Sequence, residues 1–327
     1  MSDTSDVNYP EILPSNDLSD MLGDDVIQTF QLETSDLRGR SVRMGAVLDK
    51  ILQAHDYPLP VAHLVAETLT LTTLLASMLK YDGIFTLQAK GDGPISMLVA
   101  DMKSNGDLRG CATFDEERLQ QAREQLSDLK TVEGSENHLA QYLGKGYIAF
   151  TVDQDQGERY QGIVELKGSS LVDCVQHYFN QSEQITSGIK MAAGLRGDKW
   201  RAGGLMIQEV PEEGGVSDKK PDDYSGEDDW RRAMALMGSA TDDELLDATL
   251  QSNDILHRLF HEEGVRVFEP LELRRGCRCT EERVTNILST MSEEDVQDMV
   301  KDGIISMRCE FCSHTFCYDP ETLKPVE

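Results

Sequence analysis

The sequence is poor in positive charge. Its 327 residues hold 31 lysines and arginines against 59 aspartates and glutamates, which gives a formal net charge of −28 at pH 7. Proteins that bind nucleic acid neutralise phosphates with lysine and arginine, so this deficit argues against a nucleic-acid partner. The negative excess favours solubility and suits a protein that stays soluble while it holds sticky partners, although an acidic proteome explains the charge equally well.

Long hydrophobic runs are also missing. The longest, at 64–79, is interrupted by Glu67 and by several threonines, and it falls short of the roughly 18 apolar residues that a membrane helix needs. Residues 1–25 are acidic, with neither a basic start nor an apolar core, so they do not read as a signal peptide. We therefore expect a cytoplasmic protein without a membrane partner, whose seven cysteines are thiols or metal ligands.

Motifs of enzyme catalysis are absent as well. The histidines show no H-E-x-x-H or triad spacing, and His55 with Asp56 in HDYP indicates turn chemistry. The Gly-Asp-Gly-Pro segment at 91–94 lacks the Lys-Ser/Thr of a phosphate-binding loop, and no helical pattern follows it. We interpret that segment as a turn and expect a protein that is not an enzyme.

Four cysteines near the C-terminus are the strongest signal. Cys277 and Cys279 form a C-x-C, Cys309 and Cys312 form a C-x-x-C, and 29 residues separate the pairs. Each pair can hold two corners of a tetrahedron, so together they supply a complete thiolate shell for Zn²⁺. A closed shell leaves no open position for a substrate, but thiolates can be oxidised, and the metal then leaves. The predicted site is either a static staple of a small module or a redox switch.

Three arginines lie beside the first pair: Arg274, Arg275 and Arg278. Their charge would lower the thiol pKa and favour the thiolate, which is the form that oxidants attack. A remnant of a nucleic-acid-binding zinc ribbon is the alternative, and the acidic background disfavours it.

The other sulfur and imidazole groups near these pairs are weaker candidates. His314 and Cys317 lie close to the second pair, and either can in principle replace a ligand. Cys317 is flanked by aromatic residues, a setting more typical of packing than of metal binding. Cys111 and Cys174 fall in apolar periodic segments, and we interpret them as small core residues.

The apolar pattern predicts an α+β fold in four parts. They are a disordered acidic lead (1–25), an α+β core domain (26–210), an acidic loop with a helical linker (211–265) and a zinc-binding redox-switch domain (266–327). Short strand-like runs joined by turn signals predict a mainly antiparallel sheet in the core. Helices are predicted at 41–55, where Met44 shares an apolar face with later residues, and from Pro60 onward.

In the linker, apolar residues recur at helical spacing. Thr241 and Glu244 form a capping box that opens a predicted helix over 242–262. We expect an apolar stripe that docks on the core or binds other proteins. Its candidate residues are Trp230, Met234, Leu246, Leu250, Leu256 and Leu259.

Several segments together resemble the heat shock protein 33 family of redox-regulated chaperones of the bacterial cytosol. They are HDYP at 55–58, GDGP at 91–94, GERYQG at 157–162, YFNQSEQ at 178–184, AGG at 202–204 and HRLFHEE at 257–263, together with the four cysteines. The resemblance runs from about Phe30 to Phe316. The acidic loop at 211–229 is enlarged relative to the family, Phe316 stands where tyrosine is common, and Cys317 is extra.

The resemblance implies an ATP-independent holdase that binds unfolding proteins under oxidative stress. In such chaperones the reduced form holds Zn²⁺ and is inactive, and oxidation joins each neighbouring cysteine pair into a disulfide. By resemblance those pairs are Cys277–Cys279 and Cys309–Cys312. The metal then departs, the linker unfolds and apolar surface is exposed; dimerisation of the oxidised form is a further family expectation. A thiol oxidoreductase using the second pair and a static zinc-ribbon adaptor are the alternatives.

Overall fold

The computed structural model describes residues 24–35, 37–129, 138–180, 186–209 and 225–326. Most of the predicted acidic lead and most of the predicted acidic loop lie outside the described residues. The strands are β1 (Val26–Leu32), β2 (Leu37–Met44), β3 (Gly83–Gly91), β4 (Ile95–Lys103), β5 (Asp107–Phe114), β6 (Gly146–Gln154), β7 (Tyr160–Glu165), β8 (Ser187–Arg196), β9 (Lys199–Glu209), β10 (Val265–Val267), β11 (Leu271–Glu272), β12 (Arg274–Arg275), β13 (Val300–Lys301), β14 (Ile304–Arg308) and β15 (Thr315–Tyr318). The helices are α1 (Ala46–Leu52), α2 (Leu59–Ala76), α3 (Glu116–Leu129), α4 (His138–Tyr142), α5 (Leu171–Tyr178), α6 (Ser225–Gly238), α7 (Asp242–Leu246), α8 (Ser252–Phe260), α9 (Glu281–Thr290) and α10 (Glu293–Asp298).

Two large sheets form the core. The first has the order β10-β1-β2-β9-β8, with β11 also paired to β1, and the second has the order β12-β5-β4-β3-β6-β7. Among the described strands of these sheets, every pairing is antiparallel except that of β12 with β5. The predicted α+β class and the mainly antiparallel core are confirmed.

Helix α2 lies between the two sheets and contacts strands of both. Its threonines bond back to the helix itself: Thr68 Oγ1 donates to the Leu64 carbonyl at 2.6 Å, and Thr72 Oγ1 donates to the Thr68 carbonyl at 2.7 Å. Such bonds satisfy hydroxyl groups without water, so the helix can be buried despite its threonines. By length and composition alone α2 would be long enough to cross a membrane, but 78% of it is buried inside the protein.

The helix predicted at 41–55 is wrong in its first turn. Strand β2 continues to Met44, which pairs with Ala202 of β9, and α1 begins only at Ala46. Met44 is fully buried, as its apolar character suggests, but it faces the core from a strand. Sheet pairing overrides a helical spacing that the local sequence also satisfies.

The helix predicted at 242–262 is also interrupted. Asp247 has an extended backbone with ψ of 124°, and its side chain accepts a hydrogen bond from the Thr249 N–H at 2.7 Å. An aspartate that caps its own downstream backbone in this way ends a helix, so α7 and α8 are separate. The predicted capping box of Thr241 and Glu244 is present at the start of α7.

Linker helices α6, α7 and α8 cover the face of the first sheet that points away from α2. Strand residues such as Leu205 and Ile207 contact linker residues there in a second apolar cluster. Small residues let the helices approach closely: a Cβ atom on Gly188 would lie 2.3 Å from the Met234 sulfur. The linker helices and the sheet are therefore closely packed, with complementary surfaces.

Residues 277–326 form a small module of α9, α10 and a three-stranded sheet, β13-β14-β15. It has an apolar cluster of its own, built on Leu288, Ile305 and Tyr318 among others. Residues 265–275 lie around the predicted boundary at 266, and they form β10, β11 and β12, which pair with core strands. The chain thus passes from the edges of both core sheets directly into the first cysteine pair.

Candidate metal centre and its contacts with the core

The four cysteines of the two pairs converge at one point. Their sulfur atoms all lie within 4.8 Å of one another. The Cys277 sulfur lies 3.3 Å from that of Cys279 and 3.7 Å from that of Cys309, and the Cys279 and Cys312 sulfurs are 3.4 Å apart. Four sulfurs placed tetrahedrally at the usual zinc–sulfur bond length lie about 3.8 Å apart. The cluster therefore has the donor set and approximate size of a tetrahedral thiolate site, and it can bind a metal ion.

Backbone hydrogen bonds hold the sulfurs in place. The Cys279 N–H donates to the Cys277 sulfur, and the His314 N–H donates to the Cys312 sulfur. In the second pair, the Cys309 N–H donates to the His314 carbonyl and the Ser313 N–H donates to the Cys309 carbonyl, both at 2.8 Å. Ser313 has a left-handed φ of 60°, which closes this tight turn. Local backbone geometry therefore sets both pairs facing each other.

The thiols of the cluster are not equivalent. Burial opposes ionisation of Cys277, but hydrogen bonds from the Cys279 backbone and from the neighbouring thiols outweigh it and lower the pKa of Cys277 to about 7. Burial raises the pKa of Cys279 and of Cys312. Of these three, Cys277 ionises first, and the thiolate is the form that binds metals and reacts with oxidants.

The other candidate ligands lie outside this group. The His314 ring packs edge-on against Phe316 with centroids 4.4 Å apart, and Cys317 lies on β15 with its sulfur 3.8 Å from the Ser306 hydroxyl. Cys111 and Cys174 are buried in the core, as predicted. The four-cysteine set is thus the group that the geometry selects among the described residues.

Arg278, between the first two cysteines, does not face the sulfurs but the core. Its guanidinium contacts the carboxylate of Asp101 on β4, whose side chain is 6% exposed. The same carboxylate accepts a hydrogen bond from Arg109 Nε of β5 at 2.8 Å and another from the Thr86 hydroxyl at 2.8 Å. A prediction that this arginine serves the thiols is therefore replaced by a role at the contact between module and core.

The second cysteine pair is tied to the core in the same region. Phe311, between Cys309 and Cys312, lies over the Arg109 guanidinium at 3.7 Å from the ring centroid. His55 Nδ1 lies 3.2 Å from the Ser313 hydroxyl, and its Nε2 lies 3.4 Å from the Phe311 carbonyl oxygen. We call this set the module–core junction; it comprises His55, Asp101, Arg109, Arg278 and Phe311.

Sequence reasoning missed the core half of this junction. The HDYP segment was interpreted as a turn, yet His55 reaches the C-terminal module. Asp101 lies between the buried apolar residues Ala100 and Met102, and a carboxylate in such a position is a signal that a cationic partner will cover it. The sequence does not say which arginine that partner is.

The linker stripe lies as a group on the first sheet. Leu246, Leu256 and Leu259 are buried there, and Trp230, Met234 and Leu250 are half-buried at the margin of the same cluster. The structure therefore brings all six predicted residues together on one surface. The stripe and the cysteines belong to separate segments of the chain, and strands β10 to β12 connect these segments.

The fold and the cluster define an α+β protein that carries, after a linker packed on its core, a module with four cysteines that could hold a metal ion. Comparison with known proteins identifies its family. The family model described as Hsp33 protein matches residues 25–319. The chain belongs to the Hsp33 family.

Relatives with curated names agree with this assignment. A protein of Caulobacter vibrioides named 33 kDa chaperonin is 38% identical over 307 residues, which cover 91% of this chain and 95% of that protein. A 33 kDa chaperonin of Escherichia coli is 34% identical and covers 90% of this chain and 92% of its own length. These are names of chaperones and not of enzymes, in agreement with the sequence-based expectation.

A solved structure has the same fold. The crystal structure of the 33 kDa chaperonin (heat shock protein 33 homolog) of Thermotoga maritima superposes with a TM-score of 0.71 at 19% sequence identity. The match covers 91% of this chain and 96% of the other. The α+β architecture with its C-terminal module is thus shared along nearly the whole length.

Proposed function

We propose that this protein is a redox-regulated, ATP-independent holdase whose cysteine cluster holds Zn²⁺ in the reduced state. The observation that carries the proposal is the convergence of four free thiols within 4.8 Å in a module that follows directly on a packed apolar linker. The membership of the Hsp33 family and the chaperonin names of its relatives support it.

The residues that would hold the metal are Cys277, Cys279, Cys309 and Cys312. When bound, Zn²⁺ supplies four metal–sulfur bonds that join the two cysteine segments, a contribution of about 10–16 kcal/mol of apparent binding free energy in small zinc modules. A whole domain is typically stable by only about 5–15 kcal/mol. The module therefore depends on its four thiolates for its fold.

Oxidation removes those thiolates. Each neighbouring pair of thiolates, Cys277 with Cys279 and Cys309 with Cys312, loses two electrons and forms one sulfur–sulfur bond. Hydrogen peroxide takes up these two electrons together with two protons from the solvent and leaves as two molecules of water. Distance alone does not select these pairs, because the Cys279 sulfur is 3.3 Å from Cys277 and 3.4 Å from Cys312. The pairing rests on the family resemblance.

Loss of the module fold has a path to the linker. The module–core junction and strand β12 hold the chain that leads back to α8, and both depend on the position of the cysteine segments. Once they are released, the linker loses a supporting neighbour, and its apolar stripe and the sheet face beneath it become available. That surface, which includes Leu205 and Ile207, is the one we propose for binding unfolding proteins.

The experiment follows metal and protection in the same sample. Hydrogen peroxide is added to the zinc-loaded protein at mildly elevated temperature, zinc is followed with a chromogenic chelator, and aggregation of heat-unfolded luciferase is followed by light scattering. We expect zinc release and protection to rise together and a thiol reductant with added zinc to reverse both. Peptide mapping of the oxidised protein identifies the disulfides.

The alternatives give different results. A static staple keeps its zinc under these conditions, or loses it without any gain in protection. A thiol oxidoreductase reduces insulin disulfides with turnover, whereas a holdase does not. Disulfides that join the two pairs to each other would contradict the proposed pairing but not the switch.

A further inference from the structure

The sheet face beneath the linker carries two buried arginines. Arg43 on β2 is 2% exposed and Arg201 on β9 is 8% exposed. Arginine is seldom buried unless its donors are paired, so the partners of these two side chains are informative. Both lie where the linker passes from α7 towards α8.

In the described part of the chain, the linker's hydrogen bonds to these arginines come from main-chain oxygens, and the Asp247 carboxylate adds an electrostatic attraction to Arg43. Arg201 Nε donates to the Leu246 carbonyl at 3.0 Å, and Arg43 Nη2 donates to the Asp247 carbonyl. The remaining acceptor is a carboxylate outside the linker: Asp24 accepts from both Nη atoms of Arg201 at 2.7 Å, and it lies 3.5 Å from Arg43 Nε. Among the described residues, Arg43 Nε and Nη1 make no hydrogen bond. The guanidinium of Arg43 thus has donor capacity that the linker does not fill.

A glycine beside the arginines lets a main chain approach the sheet. A Cβ atom on Gly203 of β9 would lie 2.3 Å from the Leu245 carbonyl oxygen, so a larger residue there would push the linker away. Carbonyls 245, 246 and 247 therefore lie in succession against Gly203, Arg201 and Arg43. They belong to the last turn and the C-cap of α7, where carbonyls have no partner within the helix.

We propose that Arg43, Arg201 and Gly203 form a site for main-chain carbonyls, which the linker fills in the closed protein and unfolding proteins fill after the linker leaves. The inference rests on the proposed function. Departure of α7 strips acceptors from donors that lie beside apolar residues such as Leu205, and an incoming helix end with free carbonyls restores them. Main-chain oxygens occur in every protein, so the site recognises an exposed helical end irrespective of sequence.

The first test compares two states of one variant. Arg43→Met keeps most of the side-chain volume and removes the donors, and Arg38→Met, an exposed arginine on the same strand, is the matched control. In the reduced protein we expect faster proteolysis of the linker. In the oxidised protein we expect about tenfold weaker binding of heat-unfolded luciferase, the loss that one charge-assisted hydrogen bond implies.

The second test measures the site without a client protein. A fluorescent, acetylated and amidated peptide of residues 241–251 is titrated onto the oxidised protein and followed by anisotropy. A second peptide with every Asp and Glu replaced by the corresponding amide distinguishes carboxylate from carbonyl recognition. We expect the two peptides to bind the wild-type protein with equal affinity. Both should bind the Arg43→Met variant about tenfold more weakly than they bind wild type. Gly203→Ala, which changes no charge, should weaken both as well.

The outcomes separate this proposal from the proposed function. If oxidised Arg43→Met and wild type bind peptide and luciferase equally, the arginines only hold the linker and the proposal is overturned. If the amide-substituted peptide does not bind, the site recognises carboxylates and the proposal is likewise overturned. If the oxidised wild type protects no client but binds peptide through Arg43, the carbonyl site stands and the holdase function fails.

Discussion

Among the residues that the structure describes, the core buries 42 apolar residues in one cluster between two sheets, whereas the C-terminal module buries six. A cluster of the first size can hold a domain together by hydrophobic burial alone, and one of the second size cannot. The module must therefore draw stability from its cysteine cluster and from its junction with the core. Oxidation of the cysteines therefore removes a source of stability from the module but not from the core.

The largest effect should come from removing one ligand. Cys279→Ser leaves three thiols, and we expect the module to lose its metal and its fold while the core keeps both sheets. Hydrogen exchange resolved by region should show fast exchange in 277–326 and unchanged protection in α2. Cys317→Ser, which changes a cysteine of the same module outside the cluster, is the control. Equal protection of the module in both variants would show that the module, like the core, does not depend on the cysteine cluster for its stability.

The next effect concerns the linker, which shares the apolar cluster of the first sheet. Leu256 is fully buried there, so Leu256→Asp forfeits its burial and places a carboxylate in an apolar site, at a cost of roughly 3 kcal/mol or more. We expect the linker to be digested by protease, and protection of luciferase to begin, while the thiols are still reduced. His257→Asp adds the same side chain at the neighbouring exposed position and should change neither. A reduced Leu256→Asp protein that stays resistant and inactive would show that linker docking does not control activity.

The junction should give an intermediate effect. Asp101→Asn leaves the side-chain shape intact but removes the charge that Arg109 and Arg278 share, which we expect to weaken docking of the module by up to about 3 kcal/mol. The expected result is faster transfer of zinc to a chelator without any oxidant, with the core melting temperature nearly unchanged. Asp153→Asn, at an exposed position of the same sheet, is the control. Unchanged transfer would mean that the cysteine cluster resists exchange without help from the core.

The sequence was more informative about the module than about its surroundings. Spacing alone predicted the four ligand candidates, because C-x-C and C-x-x-C turns can present sulfur in few ways, and all four converge. The contact of Arg278 with the core and the contact of His55 with the module were missed, since both depend on which strand edge the module meets. No local sequence pattern indicates which strand edge of the core the module contacts.

The fold shows the same division. Alternation and turn signals predicted the antiparallel class, and the capping box of Thr241 and Glu244 marked the start of α7. The boundary at Met44 and the break at Asp247 were missed, because a strand partner in β9 decides the first and a side-chain-to-backbone bond decides the second. Local patterns identified the elements, while strand pairing at Met44 and a short side-chain-to-backbone bond at Asp247 fixed where two of them end.

The smallest predicted effect tests whether linker docking is graded. The Thr241 hydroxyl accepts from the Glu244 N–H at 3.2 Å, and Glu244 in turn pairs with Arg258 of α8 at 2.7 Å, so this cap links the two helices that carry the linker stripe. Thr241→Ala should cost about 1 kcal/mol of helix stability, which is a small part of the docking free energy. We expect the reduced protein to stay inactive and only the protease cleavage rate at the linker to rise, by roughly fivefold, whereas Thr241→Ser, which keeps the hydroxyl, should match wild type. Because the cap lies one helical turn before the carbonyls that reach Arg201 and Arg43, a full loss of docking on this change would mean that α7 alone, and not the whole stripe, holds the linker closed.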